Sequence, residues 1–153
     1  ISARKPSQRW PIDRWEKFVR ALLGDPGARV LLFWSPGSEH DPRHPGDDEK
    51  ARDLIRRIGE TAILPLPTRT LAELIAGLSL CERLVCSDGG AMHLAAALGK
   101  PIVCLFGQSN AVRWRPWGVR HELLQPDSRD VSDISVAEVL CALERLDSER
   151  DAG

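Results

Sequence analysis

The stretch from Val85 to Gly107, VCSDGGAMHLAAALGKPIVCLFG, constrains the fold more than any other part of the chain. A short apolar run breaks at Ser87-Asp88-Gly89-Gly90, gives way to an alanine-rich segment, and resumes after Gly99-Lys100-Pro101. This order predicts one βαβ unit: Leu84 to Cys86 as strand, Asp88-Gly89-Gly90 as turn, Ala91 to Leu98 as helix, and a second strand from Ile102. Short continuous apolar runs suit strands buried on both faces, the condition of a parallel sheet covered by helices.

The rest of the chain repeats the alternation. Asp13 with Glu16, Thr70 with Glu73 and Ser135 with Glu138 have the spacing of a capping box, in which an N-cap oxygen and a glutamate three residues on satisfy open N–H groups. Behind each, apolar residues fall at helical spacing, as in Trp15, Phe18, Val19, Leu22 and Leu23. A further helix is expected over residues 47–58, acidic at its start, basic at its end and stopped by Gly59. Strands are expected at Arg29 to Trp34, Thr61 to Leu64, Ile102 to Phe106 and His121 to Leu124. The expected fold is α/β: a three-layer Rossmann-like domain with a mostly parallel sheet. Its 153 residues suit a single domain.

Bulk charge excludes some functions. Twenty-one basic side chains against 22 acidic ones leave a formal net charge of −1, with no global attraction to nucleic acid or an anionic membrane. No apolar run approaches the roughly 20 residues that span a bilayer, and no signal-peptide pattern opens the chain, so a cytoplasmic protein is expected. Cys81, Cys86, Cys104 and Cys141 lack zinc-knuckle spacing and read as buried free thiols. His40 and His44 lie in a proline- and glycine-rich loop over residues 34–49, without other ligands nearby in sequence, and no metal or cofactor is expected. The chain begins at Ile1, and its first residues read as the interior of a longer protein.

Chemistry concentrates at the turn. A helix starting at the carboxyl edge of a parallel strand offers unpaired N–H groups and a favourable field to a phosphate, here from Gly90 to His93. Two glycines allow close approach to the backbone. The turn is neither the Gly-x-Gly-x-x-Gly dinucleotide fingerprint nor a P-loop. Asp88 either caps the helix or accepts a ligand hydroxyl or amine, and His93 is either a packing residue or a partner for diphosphate. The RWRPWGVR segment, 113–120, adds Arg113, Trp114, Arg115 and Trp117, able to pair with a diphosphate and stack on a base, or to pin a structural loop.

SDGGAMHLAAALGKPIVCLFG followed by WRPWG resembles the C-terminal half of glycosyltransferase family 9, which includes the ADP-heptose:lipopolysaccharide heptosyltransferases. PSQRWPIDRWEKFVRAL, residues 6–22, resembles the segment that opens that family's C-terminal domain. The resemblance implies a GT-B enzyme of two Rossmann-like domains. In that arrangement residues 1–153 are the donor-binding domain, and the acceptor domain with its carboxylate base lies outside this chain. It implies ADP-heptose as donor, a lipopolysaccharide inner-core acceptor and inverting transfer. A full-length form would work at the inner-membrane surface, with this chain alone inactive.

By the same resemblance Asp88 faces the heptose hydroxyls, backbone N–H groups of Gly89, Gly90 and Ala91 hold phosphate oxygens, and His93 lies near the diphosphate. Two positions depart from the pattern: Gly89 stands for a threonine, and Gln8 for a lysine that neutralises donor phosphate, a role Lys5 or Arg9 would have to assume. A different nucleotide-sugar donor stays open for that reason. So does a non-catalytic nucleotide-binding or protein-interaction module on the same scaffold.

Overall fold

A computed structural model describes residues 1–43, 45–59 and 62–148. His44 and Thr61, which the sequence reading assigned to a loop and a strand, lie outside the described residues. The elements alternate after an initial helix: α1 (Ile12–Leu22), β1 (Val30–Trp34), α2 (Asp48–Ile58), β2 (Ile63–Pro67), α3 (Leu71–Ser79), β3 (Leu84–Ser87), α4 (Gly90–Ala97), β4 (Ile102–Leu105), α5 (Ala111–Trp114), β5 (His121–Leu124) and α6 (Val136–Ser148).

Two of the three expected capping boxes form. The Thr70 hydroxyl accepts from Glu73 N while the Glu73 carboxylate accepts from Thr70 N, and Ser135 with Glu138 does the same. The third does not form, because α1 starts one residue after Pro11 and Asp13 falls inside its first turn. There Asp13 accepts from Arg57 of α2 at 2.6 Å. Gly59 ends α2 with φ +113°, a backbone region that favours glycine.

β2 runs to Pro67, past the expected end at Leu64. It pairs only with β1, so Pro65 and Pro67 sit in an edge strand, where a missing N–H can be tolerated.

Every described strand pairing is parallel, in two ladders: β2 beside β1, and β3, β4, β5 in that order. Helices cover both faces. Trp10, Trp15, Phe18, Leu54, Val139 and Leu143, from the α1, α2 and α6 side, pack with Leu32, Val103 and Leu105. Leu78, Met92 and Ala95, from α3 and α4, pack on the opposite face with Leu84, Ile102, Cys104 and Phe106. β4 is inaccessible along its whole length, as the central strand of a three-layer domain must be. Trp10 and Trp15 belong to this core, with ring centroids 4.9 Å apart edge to face. Gly77 permits α3 to approach β1, since a Cβ there would lie 2.6 Å from the Phe33 ring.

All four cysteines are free, but only Cys104 is fully buried, and Cys141 is exposed on α6. No helix among the described residues is long and apolar enough to cross a membrane.

Candidate functional site

A cleft of about 1380 Å³ runs between β1 and β3, where the two ladders face each other without a shared hydrogen bond. Its floor is apolar, with Val30 to Phe33 on one side and Leu84 to Cys86 on the other. Its upper rim, at the carboxyl ends of the strands, is polar and includes Ser35, Thr68 to Thr70, Asp88 to Ala91, Gln8 and Ser109. Strand order diverges here, β2 following β1 on one side and β4 following β3 on the other, and open α/β sheets hold ligands at such divergence points.

The rim is built around Gln8. It is 5% exposed, the one buried polar side chain among the described residues, and its Nε2 donates to Asp88 Oδ2 at 2.9 Å and to Ser109 Oγ at 3.1 Å. Ser87 Oγ donates to the Gln8 carbonyl at 2.6 Å. A short 3-10 turn over Pro6–Gln8 brings the side chain into place. Gly107 makes this approach possible, since a Cβ on it would lie 2.3 Å from the Ser7 carbonyl oxygen. Gln125 fixes the loop that carries Ser109, donating through Nε2 to the Gly107 and Ser109 carbonyls.

Asp88 does not cap α4. The N-cap is Gly89, in extended conformation, with no side-chain cap bond, and Asp88 is instead tied to Gln8 at the rim. The first turn of α4 carries no acidic residue, and the N–H groups of Gly90 and Ala91 have no partner among the described residues. Unpaired donors at a helix start, with the positive end of the helix dipole behind them, form an anion-binding surface. Lys5, Arg43 and Arg69 border the same cleft and add cationic charge.

The predicted site residues separate into groups. Lys5, Gln8, Asp88, Gly89, Gly90 and Ala91 line the cleft together. His93 is exposed on α4, where its ring meets Trp114 edge to face at 6.4 Å, and the Arg113 guanidinium lies 5.3 Å over the Trp114 ring. This flank adjoins the cleft without lining it. Trp117 is 86% exposed and neither packs in the core nor lines the cleft, so the segment is not pinned by it. Arg115 is likewise exposed. Arg9 points its Nε to the Ala3 carbonyl and borders a separate, smaller hollow with Glu39, Glu49 and Lys50.

Sequence reading missed Ser109, Thr68, Arg69 and Thr70. Each follows the carboxyl end of a parallel strand, a positional signal present in Phe106-Gly107-Gln108-Ser109 and in Pro67-Thr68-Arg69-Thr70.

The loop between β1 and α2 is held by Asp48, whose Oδ1 accepts from Trp34 Nε1 at 2.7 Å and whose Oδ2 accepts from Gly37 N at 3.0 Å. These two bonds, the indole contribution first, lower the Asp48 carboxyl from its ordinary value. Burial acts oppositely on Cys104 and pushes its thiol well up.

Comparison with known proteins bears on the family and the fold. The family model of glycosyltransferase family 9 (heptosyltransferase) matches residues 1–135. Lipopolysaccharide heptosyltransferase 3 of Escherichia coli K12 is 30% identical over 162 residues, covering 95% of this chain and 44% of that protein. Lipooligosaccharide heptosyltransferase 2 of Haemophilus influenzae is 29% identical over 105 residues, 69% of this chain and 29% of that protein.

Among solved structures, a family 9 glycosyltransferase from Veillonella parvula superposes with a TM-score of 0.82 at 24% identity, covering 97% of this chain and 44% of the other. E. coli heptosyltransferase WaaC with ADP gives 0.79 at 23% identity, covering 95% and 42%. These likenesses establish the Rossmann-like fold of a GT-B domain, and this chain spans less than half the length of the relatives it matches. The chain belongs to glycosyltransferase family 9.

Proposed function

We propose that residues 1–153 form the donor-binding domain of an inverting glycosyltransferase that takes heptose from ADP-heptose and transfers it to a lipopolysaccharide inner-core acceptor on the cytoplasmic side of the membrane. The observation that carries this reading is the Asp88-Gly89-Gly90-Ala91 turn, opening into the cleft at the start of α4 with Asp88 at its rim. The acceptor half and its catalytic base belong to polypeptide outside these residues.

In this reading the diphosphate rests on the N–H groups of Gly90 and Ala91, with Lys5 and Arg69 adding positive charge. Asp88 faces the sugar hydroxyls, its second oxygen held by Gln8. His93 and the Arg113–Trp114 pair form the flank toward the nucleotide. An acceptor hydroxyl oxygen then bonds to the anomeric carbon as the bond from that carbon to the diphosphate oxygen breaks. The proton passes to the base on the acceptor side, and negative charge grows on the departing nucleotide. Donors fixed in advance of reaction stabilise that charge without reorganisation.

A different nucleotide-sugar donor is the second reading, and the Gln8–Asp88 bond favours it: a neutral amide stands at the rim where the family pattern has a cation. Calorimetric titration of this chain with ADP and ADP-heptose, repeated on Asp88→Ala, separates the possibilities. Tighter binding of ADP-heptose than of ADP, with the difference lost in Asp88→Ala, supports the heptose donor. Equal binding of both, with preference for another nucleotide sugar in a panel, assigns the second reading.

A further inference from the structure

Gln8 borders the cleft while 95% of its surface is covered, and its amide is only half used. An ionised carboxylate can only accept, so the amide nitrogen must face Asp88; the reversed amide would set two acceptor oxygens against each other. Both hydrogens on Nε2 are then committed, one to Asp88 Oδ2 at 2.9 Å and one to Ser109 Oγ at 3.1 Å. Oε1 accepts from no group among the described residues, and neither does Asp88 Oδ1. Oε1 is not sealed in the core, since the one enclosed side-chain polar atom without a partner among the described residues is Trp15 Nε1. The open space that Gln8 borders is the cleft.

The amide is also fixed before a ligand arrives. Ser87 Oγ holds the Gln8 backbone carbonyl at 2.6 Å, and Gln125 fixes the loop that presents Ser109 to Nε2. A buried side chain held at both amide hydrogens and left with one free acceptor at a cleft suits a site that reads a hydrogen-bond donor. A phosphate oxygen does not fit there, because it would bring lone pairs against an amide oxygen and a carboxylate. A lysine in this position presents hydrogens only, whereas a glutamine that holds Asp88 presents an oxygen.

We infer that Gln8 determines sugar specificity: its Oε1 and Asp88 Oδ1 accept from two neighbouring hydroxyls of the donor's glycosyl group, and the diphosphate is left to the N–H groups of Gly90 and Ala91. The inference rests on the nucleotide-sugar reading of the cleft, and not on which sugar that is. It gives position 8 a role opposite in polarity to that of the lysine in the family pattern, taking hydroxyl hydrogens in place of phosphate oxygens. Ser109 acts through Gln8, since its oxygen holds the second amide hydrogen and so sets the plane in which Oε1 lies. A sugar without a hydroxyl at this place leaves a buried acceptor unmet, and discrimination follows from that loss.

Calorimetry of this chain with ADP-heptose against ADP, and with a panel of other nucleotide sugars each against its own nucleoside diphosphate, reads the affinity gained from the sugar. Gln8→Lys keeps hydrogens for Asp88 and Ser109 but has no acceptor. It is expected to bind the nucleoside diphosphate at least as tightly as the wild type, while the gain from the sugar falls about tenfold. An unchanged gain in Gln8→Lys, shown by thermal melting to be folded, would overturn the inference, because a glutamine that only positions Asp88 is replaced by lysine without loss. The wild type alone supplies a second measurement. The side-chain carbonyl carbon resonance of Gln8 is expected to shift with a nucleotide sugar and to stay in place with the nucleoside diphosphate; a resonance unmoved by every nucleotide sugar that binds contradicts the inference. A gain from another sugar and none from heptose refutes the heptose donor, and the fall in Gln8→Lys, read on that sugar, still decides the role of Gln8. No gain from any sugar in the panel refutes that role as well.

Discussion

Gln8 donates to Asp88 across 80 residues of sequence, at 2.9 Å, and with the bond from Ser87 Oγ to the Gln8 carbonyl it joins the opening segment of the chain to the turn before α4. Because Gln8 is buried, the bond matters more than a surface contact of the same length. Replacing Gln8 by alanine removes partners from both Asp88 and Ser109. Gln8→Ala is expected to destabilise the fold by about 1–3 kcal/mol, the range for leaving a partly buried polar group without its partner. Urea denaturation of the two proteins measures it, and an unchanged midpoint would show that water replaces the amide.

Gly107 controls the same segment from the other side. A methyl group on it meets the Ser7 carbonyl and must push the Pro6–Gln8 turn outward. Gly107→Ala is therefore expected to cost roughly 1–3 kcal/mol through overpacking, and also to weaken ADP binding by displacing Gln8 from Asp88. Gly118→Ala, in a glycine with open space around it but φ +74°, is expected to lose stability through backbone strain with ADP affinity unchanged. Thermal melts and calorimetry on both variants give the comparison.

Acid should loosen the loop between β1 and α2. The Asp48 carboxyl titrates below its ordinary value when folded, because Trp34 and Gly37 donate to its charged form. Its contribution to stability is therefore complete above the unfolded value of about 4 and is lost as pH falls through the lower folded value. Glu138 and Asp130 are lowered in the same direction by their own turn and cap bonds. Asp48→Asn is expected to melt lower than the wild type at pH 6, with the gap narrowing toward pH 2.

The thiols should divide by burial. Cys141 is exposed, whereas Cys104 is inaccessible and its thiol is held neutral by desolvation. With a chromogenic disulfide reagent, Cys141 is expected to react first and Cys104 only after unfolding. Labelling of Cys104 in the folded chain at a rate comparable with Cys141 would contradict the packing of β4 between two helical layers.

Much of this fold was legible because its strands are short apolar runs and two of its helices carry working capping boxes. The misreadings have local causes. Asp13 and Glu16 have box spacing, but Pro11 starts the helix earlier and Arg57 of α2 takes the Asp13 carboxylate. Pro65 and Pro67 argue against a strand, yet β2 is an edge and accepts them. The Asp88-Gly89-Gly90 turn was found from its glycines and its position between two runs. Its partnership with Gln8 was not, because contacts between distant segments leave no mark in a local pattern. The same holds for the separation of His93 and Trp114 from the cleft: spacing places them near one strand end, and only the packed structure shows which side they face.

The central claim is that the start of α4 binds the diphosphate of a nucleotide sugar, and amide chemical shifts during titration with ADP test it most directly. The account predicts that Gly90 and Ala91 shift most, with smaller changes at Asp88 and Ser109. Saturable binding that moves the amides of residues 112–118 while leaving Gly90 and Ala91 unmoved would contradict it.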